Sequence, residues 1–290
     1  MSPELVCHSF PAMGGSVEVQ VAGGGGDPAR TVERVFAQHE SALSRFRSDS
    51  ELSALNAAHA APFRASPLLF DAVSEAIAWA CVTDGVFDPT LSGDGAPAPH
   101  PEGSGGGVAV LARPAIASGR WRRIQLDFEQ EAITLPVDAS VDLDGIGKGY
   151  TVDHAIAAIG PNANALVSAS GDLYAAGDGP DGDGWYVGVE DPFAPARDVM
   201  TLNVNDRGIA TAGRKPGTGG HDRNDVETDL AAVTVVALTA TQADVLSKTA
   251  LLLGSDAGLR LIERFDAAEC VAITRSGGVL TTRGLSEYLA

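Results

Sequence analysis

The sequence is poor in basic residues, and this shortage excludes two classes of partner. Its 290 residues contain 20 Lys and Arg against 38 Asp and Glu, which gives a formal net charge of −18. A protein that follows nucleic-acid phosphates, or that lies on an anionic membrane, needs clustered basic side chains. We therefore expect neither partner, and an anionic ligand would need a local cation, a metal ion or a glycine-rich loop.

Cysteine and long apolar runs are scarce as well. The three cysteines, Cys7, Cys81 and Cys270, are far apart and lack the spacing of metal ligands. The N-terminus shows no basic segment followed by an apolar one, and no apolar run reaches the roughly 18 residues of a membrane span. These features predict a cytoplasmic protein with reduced cysteines. No linker separates two halves, so we expect a single domain over residues 1–290.

Hydrophobic patterning predicts a mixture of strands and helices. Alternating or short apolar runs predict strands at 8–21 (with a bulge at 13–15), 121–127, 132–136, 165–172, 185–190, 199–204, 208–213, 231–238, 270–273 and 278–281. Amphipathic spacing predicts helices at 28–44, 66–83, 241–253 and 256–265, and a short helix after a cap at Ser48 or Asp49. Segments 93–107 and 215–229 are predicted to be flexible loops. The order of the elements is too irregular for a doubly wound sheet and indicates the α+β class.

The most informative stretch is Asp-Leu-Asp-Gly-Ile-Gly-Lys-Gly at 142–149, which connects a strand to a helix predicted over 152–159. Three glycines at alternate positions would let backbone amides approach a ligand, and a helix N-terminus with Lys148 suits a phosphate or pyrophosphate. Neither common phosphate motif is matched, because Asp142 and Tyr150 stand where Walker A and dinucleotide fingerprints need glycine. A plain strand-to-helix connection with a solvated Lys148 is an equal alternative.

Several further segments, taken in chain order with the central one, resemble a known family. Residues 142–153 are similar to the signature D-L-G-G-I-A-K-G-Y-A-V-D of the FAD:protein FMN transferases, the ApbE-type flavin transferases. The other similar segments are 13–16 (family pattern M-G-T), 43–56 (S-x-[YF]-x-x-x-S-E-[IL]-x-x-[LI]-N), 85–90 (G-x-F-D-x-T), 166–172 (L-V-x-x-G-G-D), 209–213 (V-A-T-S-G) and 243–254 (A-D-A-L-x-T-A-L-x-x-x-G). Together they span nearly the whole chain.

This resemblance implies an α+β, T-fold-related fold in which mixed or antiparallel sheets, flanked by helices, form two coupled lobes with a ligand cleft between them. It also implies an enzyme that uses Mg²⁺ and moves FMN from FAD to a Thr or Ser hydroxyl of a partner flavoprotein, with release of AMP. Such a phosphoryl transfer depends on positioning, charge neutralisation and activation of the hydroxyl. Two alternatives stay open: an FAD pyrophosphatase that yields FMN and AMP, and a catalytically silent protein that binds FAD.

The resemblance also implies roles for individual residues. Gly145, Lys148 and Gly149 would receive the flavin nucleotide, and Asp244 with the backbone carbonyl of Ser168 would hold the metal ion. The other FAD-binding positions that it implies are Met13, Phe46, Asp88, Thr90, Asp153, Ser170, Asp172 and Thr211. Without the resemblance, Phe46 is more typical of a core residue. Asp153 could equally form a hydrogen bond within the first turn of its own helix.

Two positions depart from the family pattern. Lys248 stands where the family has a metal-binding Thr, four residues after Asp244 and on the same helical face. Since a charged ammonium group cannot bind a metal, Lys248 either pairs with Asp244 in place of the cation or marks a lost metal site. The loop H-x-x-D-P-x-T-G is shortened and leaves His221 as the candidate base, with a solvated loop histidine as the alternative. The predicted catalytic residues are therefore His221, Asp244 and Lys248.

Overall fold

The computed structural model describes residues 5–23, 27–58, 60–92, 119–213 and 228–290. Its strands are β1 (Leu5–Ala12), β2 (Gly15–Ala22), β3 (Phe63–Arg64), β4 (Thr90–Ser92), β5 (Gln125–Asp127), β6 (Ala132–Thr134), β7 (Ala139–Val141), β8 (Ala165–Ala169), β9 (Asp172–Ala176), β10 (Trp185–Asp191), β11 (Ala194–Val204), β12 (Arg207–Gly213), β13 (Leu230–Ala237), β14 (Glu269–Thr274) and β15 (Val279–Thr281). Its helices are α1 (Pro28–Leu43), α2 (Glu51–Ala57), α3 (Pro67–Val82), α4 (Gly147–Ile159) and α5 (Ala240–Ile262), with 3₁₀ turns at Arg120–Arg123 and Arg283–Tyr288. None of the helices in these ranges combines the length and the apolarity that a membrane span needs.

An eight-stranded sheet forms the centre of the molecule. Its strands lie in the order β1-β2-β8-β9-β12-β13-β14-β15, and each neighbouring pair is antiparallel. Three smaller sheets accompany it: β3-β6-β5, β4-β7 and the hairpin β10-β11. Antiparallel sheets with separate helices confirm the predicted α+β class.

Helices cover one face of the central sheet and the β10-β11 hairpin covers the other. Successive side chains of a strand point to opposite faces, so one strand can pack against both. On β13, Val233 and Val235 pack with Leu246 of α5, whereas Val236 packs with Leu202 of the β10-β11 hairpin. Helices α1 and α4 pack against β2 and β8, and α4 contacts both α1 and α5. The start of α4 is therefore within reach of side chains from α5.

A second hydrophobic cluster joins α2, α3 and the small sheets to residues 142–146, the central loop between β7 and α4. Leu52 and Ile133 are fully buried in this cluster, and Leu143 of the loop packs there too. The helix that follows the loop, α4, buries Val152 in the cluster beneath the main sheet. Loop residues 142–146 therefore lie where two cores meet, and both cores position them.

The starts of α1 and α3 agree with the sequence. Asp27 caps α1 and Ser66 caps α3, and each is followed by a proline in the first turn. The predicted cap of α2 is wrong, because Ser50 replaces Ser48 or Asp49 in that role. The Ser50 hydroxyl accepts a hydrogen bond from the backbone amide three residues on, at 3.0 Å.

Two segments predicted as single strands are hairpins. The expected bulge in 8–21 is a two-residue turn between β1 and β2, at Met13 (φ 50°) and Gly14 (φ 73°). The segment 165–172 likewise turns at Ser170 (φ 55°) and Gly171 (φ 102°), and the chain continues as β9. Positive φ at both central residues gives the hairpin turn that matches strand twist. The sequence signalled a break at 13–15 and the end of a strand at 172, but not the chain reversals, because Met and Ser rarely adopt left-handed backbone.

Several element boundaries also differ from the prediction. Strand β11 begins at Ala194 rather than at residue 199, and the two helices predicted at 241–253 and 256–265 are joined as α5, with non-helical backbone at Gly254 (φ 78°) between them.

Helix α4 begins at Gly147 rather than near residue 152. The sequence did not predict this first turn, because it contains glycines, which are unfavourable in a helix interior. Residues 120–123 form a 3₁₀ turn rather than the start of a strand, while the β5-β6 hairpin is as predicted. The predicted loop 93–107, and residues 215–227 of the second predicted loop, lie outside the described residues.

Candidate functional site

The candidate site is built around the central loop, which two neighbouring segments hold in place. The side-chain amide of Asn56, on α2, donates to Val141 O at 2.9 Å and accepts from Val141 N at 2.7 Å. A Cβ atom on Gly145 would lie 2.8 Å from the ring of Phe87, so a larger residue does not fit there. These contacts fix the backbone that leads into α4.

Lys248 and Asp244 form a buried ion pair, one turn apart on α5. Lys248 Nζ lies 2.5 Å from Asp244 Oδ1, and the two side chains are 5% and 0% exposed. The same ammonium group donates to the carbonyl oxygens of Gly145 at 3.2 Å and Asp144 at 3.3 Å. The other carboxylate oxygen, Asp244 Oδ2, accepts a long hydrogen bond from Gly149 N at 3.4 Å. Helix α5 thus holds both the central loop and the first turn of α4.

A second buried ion pair lies beside the first. Lys148 Nζ is 3.1 Å from Oδ2 of Asp172, the first residue of β9, and the side chains are 17% and 4% exposed. Burial alone would lower the pKa of Lys148, but the charges of Asp172 and Asp244 raise it above its ordinary value. Burial, followed by the charge of Asp172, raises the pKa of Asp244 to about 6, although Lys248 and Lys148 oppose this shift. Asp172, Lys148, Asp244 and Lys248 therefore act on one another as one network of alternating charge.

Arg45 joins the acidic side chains of the central loop. Its Nε lies 2.8 Å from Asp144 Oδ2 and 3.2 Å from Asp142 Oδ2. Burial, and then the neighbouring charge of Asp144, raises the pKa of Asp142 to about 7 despite Arg45. The Arg45 guanidinium also stacks over the half-buried Phe46 ring at 4.2 Å. The side chain of Phe46 therefore lies next to the loop, where its predicted contact with a flavin stays a prediction.

The glycines at the start of α4 differ in what surrounds them. A Cβ atom on Gly149 would lie 2.6 Å from the backbone oxygen of Ala240, so this glycine is required for close packing of α4 against α5. A Cβ atom on Gly147 would meet no described atom within 4 Å. The sequence suggested that all three glycines admit a ligand, but of these three only Gly147 has no described atom within 4 Å of a Cβ position.

Asp153 connects α4 to the start of α5. Its Oδ1 accepts from Ala240 N at 2.8 Å, and its Oδ2 accepts from the amide and hydroxyl of Thr241 at 2.9 and 2.6 Å. These are the first amides of a helix, which have no partner within the helix itself. The alternative of a hydrogen bond within its own first turn is wrong, because the partner is the other helix. A contact with FAD stays a prediction, and the three bonds give it no support.

The hairpin turns that contain Met13 and Ser170 lie at one end of the central sheet. Ser170 N donates to Ser16 O at 3.1 Å, and a Cβ atom on Gly15 would collide with Ser170 Oγ. The backbone amide of Met13 donates to Glu40 Oε1 at 3.1 Å. The hairpin turns β1-β2 and β8-β9 are thus in contact, next to the strand that begins with Asp172.

Of the remaining predicted residues, Thr211, Asp88 and Thr90 have hydrogen-bond partners within the protein. Thr211 Oγ1 lies 2.9 Å from Thr234 Oγ1 on the neighbouring strand. Asp88 Oδ1 accepts from the amide of Thr90 at 2.9 Å and from its hydroxyl at 2.5 Å. His221 lies outside the described residues. The proposed roles of these residues in catalysis or FAD binding therefore stay predictions.

A comparison with known families identifies the chain. The model of the ApbE family matches residues 13–272. The chain belongs to the ApbE family. An FAD:protein FMN transferase of Haemophilus influenzae is 27% identical over 86% of this chain and 79% of its own. One from Treponema pallidum is 26% identical over 88% of this chain and 80% of its own.

Solved ApbE structures share the fold. The apo form of the Pseudomonas stutzeri flavinyl transferase ApbE covers 100% of this chain and 99% of its own, with a TM-score of 0.79 at 24% identity. The ApbE protein of Thermotoga maritima covers 99% of this chain and 100% of its own, with a TM-score of 0.79 at 19% identity. These matches confirm the ApbE-like fold expected from the sequence.

The metal ion implied by the ApbE resemblance does not fit the residues present. Lys248 Nζ already occupies the oxygen Oδ1 of Asp244, and an ammonium group cannot ligate a metal. The second expected ligand, Ser168, lies inside β8 between Glu18 of β2 and Leu173 of β9, where a carbonyl points to a neighbouring strand. The described residues also contain no group of three or more His, Cys, Asp or Glu that could hold a metal ion.

Sequence reasoning missed the part that Arg45 plays. This residue links the 43–56 segment to the central loop through its ion pairs with Asp142 and Asp144. The only signal was its position next to Phe46 in a segment that resembles the ApbE pattern. Its partners are about a hundred residues away, so no local pattern could have identified them.

Proposed function

We propose that this chain is an FAD:protein FMN transferase, which moves FMN from FAD to a Thr or Ser hydroxyl of a partner flavoprotein and releases AMP. The observation that carries the proposal is the ApbE family match over residues 13–272. Relatives with this name support it, because this chain covers most of their length.

In this reaction the acceptor oxygen forms a bond to the phosphorus of the FMN half. The bond from that phosphorus to the bridging oxygen of the pyrophosphate breaks, and the bridging oxygen leaves with AMP and the electron pair. The hydroxyl proton passes to a base. The protein must therefore provide positive charge at the pyrophosphate and a base at the acceptor hydroxyl.

The first turn of α4 is the part of the site best suited to the pyrophosphate. A helix N-terminus has a positive dipole end that favours an anion. In this turn the amides of Gly147 and Gly149 already donate to Leu143 O at 2.6 Å and to Asp244 Oδ2 at 3.4 Å. An anion here therefore depends on the dipole and on Lys148.

Lys148 lies between the two glycines of this turn, and its charge is available if a phosphate competes with Asp172. Arg45, which stacks on Phe46, supplies a further cation beside the loop.

The remaining roles rest on the family pattern. The residues that we propose to contact FAD are Met13, Phe46, Asp88, Thr90, Gly145, Lys148, Gly149, Asp153, Ser170, Asp172 and Thr211. His221 is the proposed base. Asp244 and Lys248 hold the loop and the first turn of α4 in place, and no step is assigned to a metal ion, because its expected ligands are engaged otherwise.

A cytoplasmic location belongs to the same set of proposals. It rests on the low number of cysteines in the sequence, which favours a reducing compartment. All three cysteines are free, with Cys7 and Cys81 exposed and Cys270 buried. Expression of a fusion to a reporter that fluoresces only in the cytoplasm tests this location.

The function is tested by incubating the purified protein with FAD and a flavoprotein fragment that has a flavinylation Thr. We expect AMP in the supernatant and a mass increase of the fragment by one FMN less water. A fragment with Ala in place of that Thr is the control and should gain no mass. Lys148→Met should abolish transfer, whereas Arg260→Met, on an exposed part of α5, should leave it unchanged.

The same assay separates the alternatives. AMP release without covalent flavin, in the presence of an intact acceptor, would identify a pyrophosphatase. FAD binding without AMP release, with acceptors of several sequences, would identify a silent flavin-binding protein. This last alternative is favoured by the buried pairing of Asp244 with Lys248, because Asp244 is the expected metal ligand.

A further inference from the structure

Three oxygens surround the ammonium group of Lys248. They are a carboxylate oxygen of Asp244 at 2.5 Å and the backbone carbonyl oxygens of Gly145 at 3.2 Å and Asp144 at 3.3 Å. Carboxylate and carbonyl oxygens are the ligands that hard divalent cations prefer in proteins. The ammonium group donates hydrogen bonds to the two carbonyl oxygens, and the carboxylate oxygen lies at ion-pair distance from it.

The ammonium group is fixed in this position. The Lys248 side chain is 5% exposed and Asp244 is fully buried, and the residues of α5 from Asp244 to Ala250 are all buried. Moving the ammonium group away would leave the buried Asp244 carboxylate without its direct ion-pair partner, which is unfavourable. A divalent ion would need to approach the same carboxylate oxygen while a positive charge lies 2.5 Å from it.

We infer that the Lys248 ammonium group takes the place of a divalent cation, so that this chain binds the pyrophosphate of FAD without a metal ion. The inference rests on the proposed function for the identity of the ligand. A fixed cation at this point holds the carbonyl groups of the loop and keeps Asp244 neutralised. The first turn of α4, whose Gly149 amide donates to Asp244, is thereby held in one position, with Lys148 as the cation for an anion.

The first test compares FAD binding by the wild-type protein in EDTA and in excess Mg²⁺, followed by flavin fluorescence. We expect the two dissociation constants to agree. An increase of about tenfold or more in affinity with Mg²⁺, equal to about 1.4 kcal/mol, would overturn the inference. Bound Mn²⁺ is measured in parallel by electron paramagnetic resonance without FAD, and the wild-type protein should bind none at this site.

Two variants sharpen the test. Lys248→Thr removes the charge, opens space and adds a hydroxyl oxygen, so it should bind Mn²⁺ and should bind FAD about tenfold more weakly in EDTA, with recovery in Mg²⁺. Lys248→Met removes the charge but fills the space, so FAD binding should stay weak in both conditions. Unchanged FAD affinity of Lys248→Thr in EDTA would contradict the inference. Arg260→Met is the matched control for loss of a cation from α5 and should bind FAD like the wild-type protein in both conditions.

The outcomes separate this inference from the proposed function. If no form binds FAD, but Lys248→Thr binds Mn²⁺ and the wild-type protein does not, the replacement of the metal stands and the proposed function fails. If the wild-type protein transfers FMN only with Mg²⁺, the function stands and the inference fails. If Lys248→Thr does not fold, the inference is still tested by two wild-type measurements, the FAD affinity with and without Mg²⁺ and the binding of Mn²⁺.

Discussion

The carboxylate of Asp153, on α4, accepts hydrogen bonds from both the backbone amide and the hydroxyl of Thr241, at the start of α5. A third bond comes from the amide of Ala240. One side chain therefore caps a helix that is distant in sequence and joins it to α4. Because α5 also carries Asp244 and Lys248, this joint sets the position of the buried charges relative to the first turn of α4.

We predict that Asp153→Ala lowers the free energy of unfolding by about 2 kcal/mol, because it leaves buried amides without acceptors. Asp153→Asn retains an acceptor oxygen and should lose about half as much. Urea denaturation followed by circular dichroism measures both. A variant that unfolds like the wild-type protein but no longer binds FAD would instead place Asp153 in the ligand site.

The two glycines of the first turn of α4 provide a matched pair for the second prediction. Gly149→Ala should lower the free energy of unfolding by about 2 kcal/mol, because its methyl group would overlap the backbone of α5. Gly147→Ala faces open space and should leave stability equal or slightly higher, since alanine favours a helix. Thermal melting measures both variants.

For FAD binding we expect Gly147→Ala to have a larger effect than Gly149→Ala, the reverse of their effects on stability. A methyl group on Gly147 would occupy the space in front of this turn, and we expect FAD to bind about tenfold more weakly if its pyrophosphate lies there. Gly147→Ala with unchanged FAD affinity would show that the ligand does not approach this turn. Gly149→Ala, studied at a temperature where it is folded, serves as the comparison.

The limits of sequence reasoning at these positions have a physical cause. Ser66 was predictable as a cap because the group that it bonds lies three residues further on. Asp153 bonds amides 87 and 88 residues away, and Gly149 is required by backbone that only the fold brings close. Local patterns thus predicted most strands and helices, but not the long-range contacts that give each residue of the central stretch its role.

The charge network also contains one local pair that could be predicted and two long-range contacts that could not. The spacing of Asp244 and Lys248 on one helix predicted that they could pair, and the structure confirms this pairing. The partners of Lys148 and Arg45 come from other elements and carried no signal of their own. The family resemblance brought Lys148 and Asp172 into one predicted site, but it could not say that they form an ion pair with each other.

A third prediction concerns His39, a buried residue of α1 that is 4% exposed. Its Nδ1 lies 3.0 Å from Thr151 Oγ1, and the rings of His154 and Tyr150 are 5.1 and 5.6 Å away. Burial, followed by the charge of His154, lowers the pKa of His39 to about 4. Between this value and the ordinary pKa near 6.5, the unfolded chain binds a proton that the folded chain does not.

Stability should therefore fall as the pH is lowered from about 6.5 to about 4, by at most about 3 kcal/mol from this residue. His39→Gln keeps a hydrogen-bonding group for Thr151 but does not titrate, so its stability should depend less on pH in this window. Urea denaturation at several pH values checks the difference between the two proteins. Equal acid destabilisation of both would mean that His39 is not the group responsible.

The last prediction concerns the pair of Lys148 and Asp172, whose charged groups lie 3.1 Å apart. Lys148→Met leaves Asp172 as a buried carboxylate without its cation, and should lower the free energy of unfolding by about 3 kcal/mol. The double variant Lys148→Met/Asp172→Asn removes both charges and should be more stable than Lys148→Met alone. A double-mutant cycle in urea measures the coupling, which we expect to be about 1–3 kcal/mol.

The same variants distinguish a structural role of Lys148 from a role in binding. If Lys148 turns from Asp172 to a phosphate of FAD, then Asp172→Asn, which keeps a hydrogen-bonding side chain for FAD, frees the charge of Lys148, and FAD should bind as tightly as in the wild-type protein or more tightly. Lys148→Met should bind weakly both alone and with Asp172→Asn, because regained stability does not restore the cation. Recovery of FAD binding in the double variant would mean that Lys148 acts on the fold alone, and the anion would then have to be held by the positive dipole end of α4 and by Arg45.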